Sequence, residues 1–406
     1  MNADIIRTEF YKIVSKKYIW IFVILFSAFY AFIFFQFRDN PGVKYSLRPI
    51  RNEIQQAAAS EELGNIMRSK GYKISYEDIK PFLSSSACEY IEQYRRVYYH
   101  DEIPVASLPE SKVTDKICNF YERIDDRQNE IQNLRSSLAE MKKKGKLSSF
   151  LYAVQTKLLG MYEKAGEIEL NLDGWDEIAD INYAWMIPAW TMLIILLGLA
   201  GIYSDEYTNK TQSVLLTAKN GRQGVFFSKL AAGILFSILC VLYFQSLAFA
   251  VTGIVYGFSN ADISLMSLYG FKLTPFAWSA LKFYLFQILG SLLAAFVMSS
   301  LIICLSAYCK NALLPFFLAG TYWGGTFVWA KTVALPQYAA NPLSLPAELS
   351  PFMLQSITDL VSTGRFINLF GSAVPTIYAN IIFNLIIAFI SLLFCYHGYI
   401  RKQVKD

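Results

Sequence analysis

Few residues of this chain are equipped for chemistry, and their setting limits what that chemistry is. Histidine occurs only as His100 and His397, and no H-E-x-x-H, G-x-S-x-G or dinucleotide fingerprint is present. The absence of a G-x-x-x-x-G-K-[ST] phosphate loop means that ATP hydrolysis is not expected of this polypeptide, and no catalytic residue or metal-ligand set stands out. Four amides, Gln245, Gln287, Asn380 and Asn384, lie inside long apolar runs, as does Lys282 near one end of its run. A polar side chain there lines a pathway or subunit interface, or pins one helix to another by hydrogen bonds. Asn380 and Asn384 are one turn apart on a shared face, and both uses stay open for them. No run carries the carboxylates expected of a proton- or sodium-coupled carrier. Cys240, Cys304, Cys309 and Cys395 fall in or beside apolar runs and read as core residues. Cys88 and Cys118 lie in a polar region, as one disulfide or as two unpaired thiols.

The remaining candidates share one stretch, Ser204 to Leu230, the strongly polar segment between two apolar runs. It is too short for a domain and too charged for lipid, so a membrane surface is its expected place. As a helix reaching Ala218, it puts Tyr207, Thr211, Val214 and Ala218 on one face, with Asn220-Gly221 supplying its end. A short amphipathic helix between two spans has the shape of a lever.

Within that stretch, Glu206, Asn209-Lys210-Thr211, Leu215-Leu216, Arg222 and Ser228-Lys229 resemble the cytoplasmic loop of ABC-2 type permeases, the membrane subunits of ABC exporters. That loop usually reads Glu-x-x-x-Gly-Thr, Leu-Leu, a proline, an arginine and a lysine opening the next helix. Here Lys210 replaces the glycine and Lys219 sits near the usual proline. The resemblance covers the membrane portions at both ends of the chain and not the insert between them. It implies a separate ATPase subunit carrying ATP and Mg, a second permease copy or related chain, and a coupling surface of Glu206, Thr211, Leu215, Leu216, Arg222 and Lys229.

The elements that must position these residues follow from composition. With 54% hydrophobic and 17% charged residues among 406, the chain is too apolar for an ordinary soluble protein. Residues 3–17 set Ile6, Phe10, Ile13 and Val14 on one helical face amid Arg7, Lys12 and Lys16, the pattern of an interfacial elbow helix. Tyr18 to Phe37 is uncharged and long enough to cross about 30 Å of hydrocarbon. Further spans are expected from Asn182 to Tyr203, Leu230 to about Tyr256, Ala280 to Tyr308, Ala312 to Ala330 and Tyr378 to Tyr396. In the fifth of these six, Gly320 and Gly324 permit close helix contact. Twelve basic residues fall in the segments this assigns to the inside and four in the outer loops of the membrane part, which puts both termini in the cytoplasm.

Residues 38–181 then lie outside. They hold 21 basic and 24 acidic residues, so the excess positive charge belongs to the membrane part. Ile117, Phe120, Ile124, Arg127, Ile131, Leu134, Leu138 and Met141 recur in steps of three and four. After the break at MKKKGK, Leu147, Leu151, Val154, Leu158 and Met161 resume the pattern, as in an antiparallel helical hairpin. Residues 331–375 form an outer segment, interfacial or re-entrant, with a short helical stripe at Met353, Ile357, Leu360 and Val361.

The sequence therefore predicts an all-α polytopic membrane protein with six transmembrane helices and a large helical extracytoplasmic domain between the first and second. Its expected work is as the permease subunit of an ATP-driven exporter of a peptide, antibiotic or other amphipathic molecule, in contact with membrane lipid and with no nucleic-acid partner. The alternative is a non-transport sensor or scaffold whose outer domain binds a ligand or envelope partner.

Overall fold

The computed structural model describes residues 3–39, 50–72, 74–97, 109–147, 149–183, 186–209, 221–332 and 342–400. Helix α1 (Ala3–Val14) turns by 61° at Ser15-Lys16 into α2 (Lys17–Asp39). Ile13 of the apolar stripe is buried against the bundle while Lys12 stays half in solvent. By length and composition four helical stretches can cross a bilayer: Met186–Thr208, Gln223–Ile254, Ala280–Tyr308 and Thr376–Tyr399. The bent pair of α1 and α2 makes a fifth if it is one broken span. The predicted span at 312–330 is helix α14 (Leu313–Thr332), whose apolar run is diluted by Thr, Tyr, Trp and four glycine or proline positions and which is not among those five.

Two predicted spans have different ends from those expected. Helix α12 starts at Gly221 and runs unbroken to Val255, so Gly221 opens a helix rather than closing one. The stretch 182–203 is divided: α9 (Trp175–Tyr183) precedes α10 (Met186–Leu199), and turns at residues 200–203 lead into α11 (Ser204–Thr208). Helices α13 (Ala280–Tyr308) and α18 (Thr376–Ile400) complete the bundle, with α13 central, touching α10, α12, α14 and α18.

The insert folds as α3 (Arg51–Ala58), α4 (Glu61–Ser69), α5 (Tyr76–Ile79), α6 (Ser85–Val97), α7 (Pro109–Lys143) and α8 (Phe150–Tyr162). The predicted hairpin is present as α7 and α8. Gly145, at φ +67, takes the left-handed turn that the MKKKGK break requires. Its core is shorter than the sequence stripe: Leu134, Val154, Leu158 and Tyr162 are buried with Met266 and Phe366 of the membrane part, while Leu147 and Leu151 are exposed. Arg127 leaves the apolar stripe altogether; its guanidinium donates to the carbonyls of Tyr162, Ala165 and Gly166 at the end of α8, satisfying acceptors that a helix terminus leaves open. A second core gathers Ile54, Leu63, Met67, Ile79, Ile91, Val113 and Ile117. Cys88 and Cys118 both flank it as unbonded thiols.

The insert is seated on the bundle by polar contacts. Asp173 Oδ2 accepts from Ser259 Oγ at 2.6 Å and from the Ser259 and Asn260 amides at 3.2 Å, and its other oxygen takes Arg51 at 3.0 Å. Tyr162 donates to the Leu273 carbonyl at 2.7 Å, and buried Arg123 donates to that of Ser267.

Residues 342–375, within the segment expected outside, depart most from expectation. Met353, Ile357, Leu360 and Val361 are all buried, but they are divided between two short helices, α16 (Pro351–Gln355) holding Met353 and α17 (Thr358–Ser362) holding Leu360 and Val361, with Ile357 in the turn between them and α15 (Leu345–Glu348) before. Strands β1 (Phe366–Leu369) and β2 (Ser372–Pro375) then form an antiparallel hairpin, so the fold is mainly rather than purely helical. Phe370 and Gly371, both at positive φ, make the two-residue turn that matches strand twist.

Candidate functional site

The break after α10 sets up the site. Unwinding at residues 200–203 frees backbone groups in a buried place, and such groups need partners. Ser306 on α13 supplies most of them: its hydroxyl accepts from the amides of Tyr203 at 3.1 Å and Ser204 at 3.2 Å and donates to the Ala200 carbonyl at 2.8 Å. The Ile202 carbonyl accepts from Lys229 Nζ at 2.7 Å. A Cβ at Gly201 would overlap the carboxylate of Asp205, so a side chain there would push that half-exposed group away from Lys16.

Lys229, 1% exposed, is the centre of the arrangement. Its ammonium lies 2.6 Å from Glu206 Oε1, 2.9 Å from Glu9 Oε2 and 5.2 Å from the centre of the Tyr203 ring. Glu9 also pairs with Lys12 at 2.5 Å, and Lys16 pairs with Asp205 at 3.1 Å. Three carboxylates and three ammonium groups thus join the elbow helix, the start of the polar stretch and its far end. They line a cleft of about 540 Å³ at the end of the bundle that carries α1. Burying Lys229, Glu9 and Glu206 costs desolvation that pairing only roughly offsets, so this part of the cluster serves to fix one arrangement of three elements more than to add stability.

The four span amides lie toward the other end. Gln287 Oε1 accepts from the Ile357 amide at 3.1 Å, and its Nε2 donates to the Gln355 carbonyl. Asn380 Nδ2 donates to the carbonyls of Glu348 and Ser350 (3.1 Å for Ser350), and Asn384 Nδ2 to those of Leu349 and Asn380 at 2.9 and 3.0 Å. Gln355 itself reaches the Pro188 carbonyl at 2.9 Å and takes the Trp323 indole N–H at 3.1 Å. Short helices expose unsatisfied carbonyls at their ends, and these amides are where those carbonyls go. Gln245 differs: it is buried in α12, and it is its backbone carbonyl, not its side chain, that takes the Tyr284 hydroxyl at 3.0 Å.

Residues 3–401 match the family model described as ABC-2 family transporter protein. The chain belongs to the ABC-2 transporter family. No curated protein and no solved structure matches it. The matched range spans both membrane parts and the insert between them. As an ABC-2 permease it is a membrane subunit of an ABC transporter, a class that works with an ABC ATPase.

Of the residues the resemblance singled out in this permease, Glu206 and Lys229 are brought into direct contact. Thr211, Leu215 and Leu216 lie outside the described residues, and Arg222 is described only as part of the first turn of α12. Glu9 was passed over. The signal was available: it is the one carboxylate in a helix whose other charges past its first turn are basic.

Proposed function

We propose that this permease is the membrane subunit of an ATP-driven exporter, with the end carrying α1 and residues 204–229 in the cytoplasm and residues 38–181 outside. A separate ATPase, holding ATP and Mg, presses on the polar stretch when it closes. Two copies, or this chain with a related one, form the pathway within the lipid. Glu206, Thr211, Leu215, Leu216, Arg222 and Lys229 make or anchor the coupling surface. The exported molecule is a peptide, antibiotic or other amphipath.

One observation carries this reading: buried Lys229 ties both ends of residues 204–229 to the elbow through Glu206 and Glu9. A segment held at both ends cannot absorb a push by flexing at its roots, so displacement passes into α10 and α12 as rigid bodies. The excess of basic residues in these same segments supports the orientation.

The test is ATPase stimulation in liposomes containing the permease and its ATPase, comparing wild type with a permease whose residues 210–220 are replaced by a Gly-Ser linker. Stimulation is expected to vanish while the two subunits still assemble in the membrane. Full stimulation by the linker variant would refute the coupling role.

A further inference from the structure

Phe370, at the tip of the β1–β2 hairpin, is fully exposed and has φ +51. That backbone region is costly for a bulky side chain and is ordinarily left to Gly, Asn or Asp. Nothing in the turn calls for phenylalanine: Gly371 takes the second left-handed position, and its amide donates to Asn368 Oδ1 at 2.8 Å. An aromatic ring held out on a strained turn gains nothing from the fold that carries it.

The hairpin stands beside the bilayer surface. Pro375 ends β2, and Thr376, whose amide donates to the Arg365 carbonyl at 2.9 Å, opens the apolar run of α18. Tyr378, half exposed in the first turn of that span, is where an aromatic belt residue belongs. At about 3.3 Å per residue the tip is within roughly 17 Å of the first residue of the span.

Helix α8 lies along the same surface. Tyr162 seats its end on the Leu273 carbonyl at 2.7 Å, Lys157 donates to the Ala373 carbonyl of β2 at 3.1 Å, and Val154 and Phe150 pack into the cluster that holds Phe366. Supported along its length by loops that end the spans, α8 runs across the bundle and not away from it. Its start carries the α7–α8 turn, where Lys142, Lys143, Lys144 and Lys146 are all exposed. Among the described residues only Lys144 of these has a carboxylate partner, Glu140. Leu147 and Leu151 are exposed beside them, the part of the apolar stripe that the hairpin core leaves out. Lysines next to apolar tips at this level match an anionic lipid surface in chemistry, ammonium against phosphate and apolar groups at the acyl boundary.

We propose that the β-hairpin tip and the α7–α8 turn rest on the leaflet at the insert end, with Phe370, Leu147 and Leu151 entering the headgroup boundary and Lys142, Lys143 and Lys146 meeting the phosphates of anionic lipids. The insert is then anchored to the bilayer as well as to the bundle. The contact is the same whichever side of the membrane that leaflet faces, so it does not rest on the export reading.

Full-length permease carrying the photoreactive p-benzoylphenylalanine in place of Phe370 or of Leu151 is placed in nanodiscs of phosphatidylcholine, alone or in equal parts with phosphatidylglycerol, irradiated, and read by mass spectrometry. The same probe at Ile386, exposed on α18, gives the lipid-facing standard, and at Glu62, exposed on α4, the water-facing one. A lipid adduct is expected at position 370 in a yield comparable to that at Ile386, and none at Glu62. At Leu151 the yield is expected to rise roughly threefold with phosphatidylglycerol, and the variant Lys142→Gln/Lys143→Gln/Lys146→Gln to lose that rise. Absence of a lipid adduct at 370, or an adduct there to a second copy of the chain in its place, overturns the proposal. A yield at Leu151 that ignores phosphatidylglycerol, or a rise that survives the triple variant, overturns it equally. Phe370→Asn, which suits the turn, is expected to melt no lower than wild type in detergent; a clear loss there would show that the ring serves the fold and would also overturn it.

Discussion

Lys229 Nζ sits 2.6 Å from Glu206 Oε1, so the first turn after the second apolar run and the entry to the next are joined by one ion pair that water does not reach. Twenty-three positions separate these residues in sequence, yet they act as one fixture with Glu9. Replacing Lys229 by Met would leave two carboxylates buried beside each other. A loss of about 3 to 5 kcal/mol is expected, the range for breaking a buried pair from one side. Thermal melting of the purified protein measures it, and Lys229→Met combined with Glu206→Gln and Glu9→Gln should recover most of the loss. A single variant that melts like wild type would show the cluster to be dispensable.

Gly290 in α13 faces the backbone of α16. A Cβ there would overlap the Leu354 carbonyl oxygen and sit 3.1 Å from Ile357 Cγ2, whereas at Gly320 the nearest atom is 3.7 Å away. Gly290→Ala is therefore expected to destabilise by about 1 to 3 kcal/mol through overpacking and Gly320→Ala to be tolerated. Comparing the two melting temperatures checks this; similar values would mean that α16 does not press on α13 as described.

The span amides are expected to behave as fasteners. Gln287→Leu strands the Ile357 amide and leaves the Gln355 carbonyl to the longer bond from Ser291 Oγ at 3.4 Å, and Asn380→Leu strands the carbonyls of Glu348 and Ser350. Each should cost about 1 to 3 kcal/mol. A pathway role would instead change which molecules are exported with little change in melting. Measuring both on the same variants separates the two uses that the sequence left open.

Acid is expected to loosen the insert. Asp125 is pushed up by burial, but hydrogen bonds from Arg68 and Tyr72 outweigh this and hold it below the usual carboxylate range. Asp78, capping α5 and paired with Lys70 at 2.6 Å, is held at about 2, chiefly by that lysine and then by the Ser75 amide. Folded values below unfolded ones mean that the stabilisation is complete above about pH 4 and is lost as pH falls through the folded values. Limited proteolysis of the full-length protein between pH 7 and 2 should show the insert opening only at the acid end. Asp125→Asn combined with Asp78→Asn should flatten that dependence; an unchanged acid limb would assign it to other groups.

What local pattern fixes was legible in the chain. Run length and hydropathy marked the apolar helices, three-and-four spacing marked the α7–α8 hairpin and the elbow, and the Glu206-to-Lys229 stretch pointed to the family. Each of these depends on residues close in sequence, whose spacing alone sets which face is apolar. The tertiary structure decided everything that depends on where a broken helix leaves its backbone groups. The turns at residues 200–203 and the short helices α15–α17 release carbonyls and amides inside the bundle, and only the folded chain determines that Ser306, Lys229, Gln287, Asn380 and Asn384 meet them. The same holds for Glu9: its spacing put it on a polar helix, and the 61° bend, which no periodicity encodes, turned it onto a lysine 220 positions away.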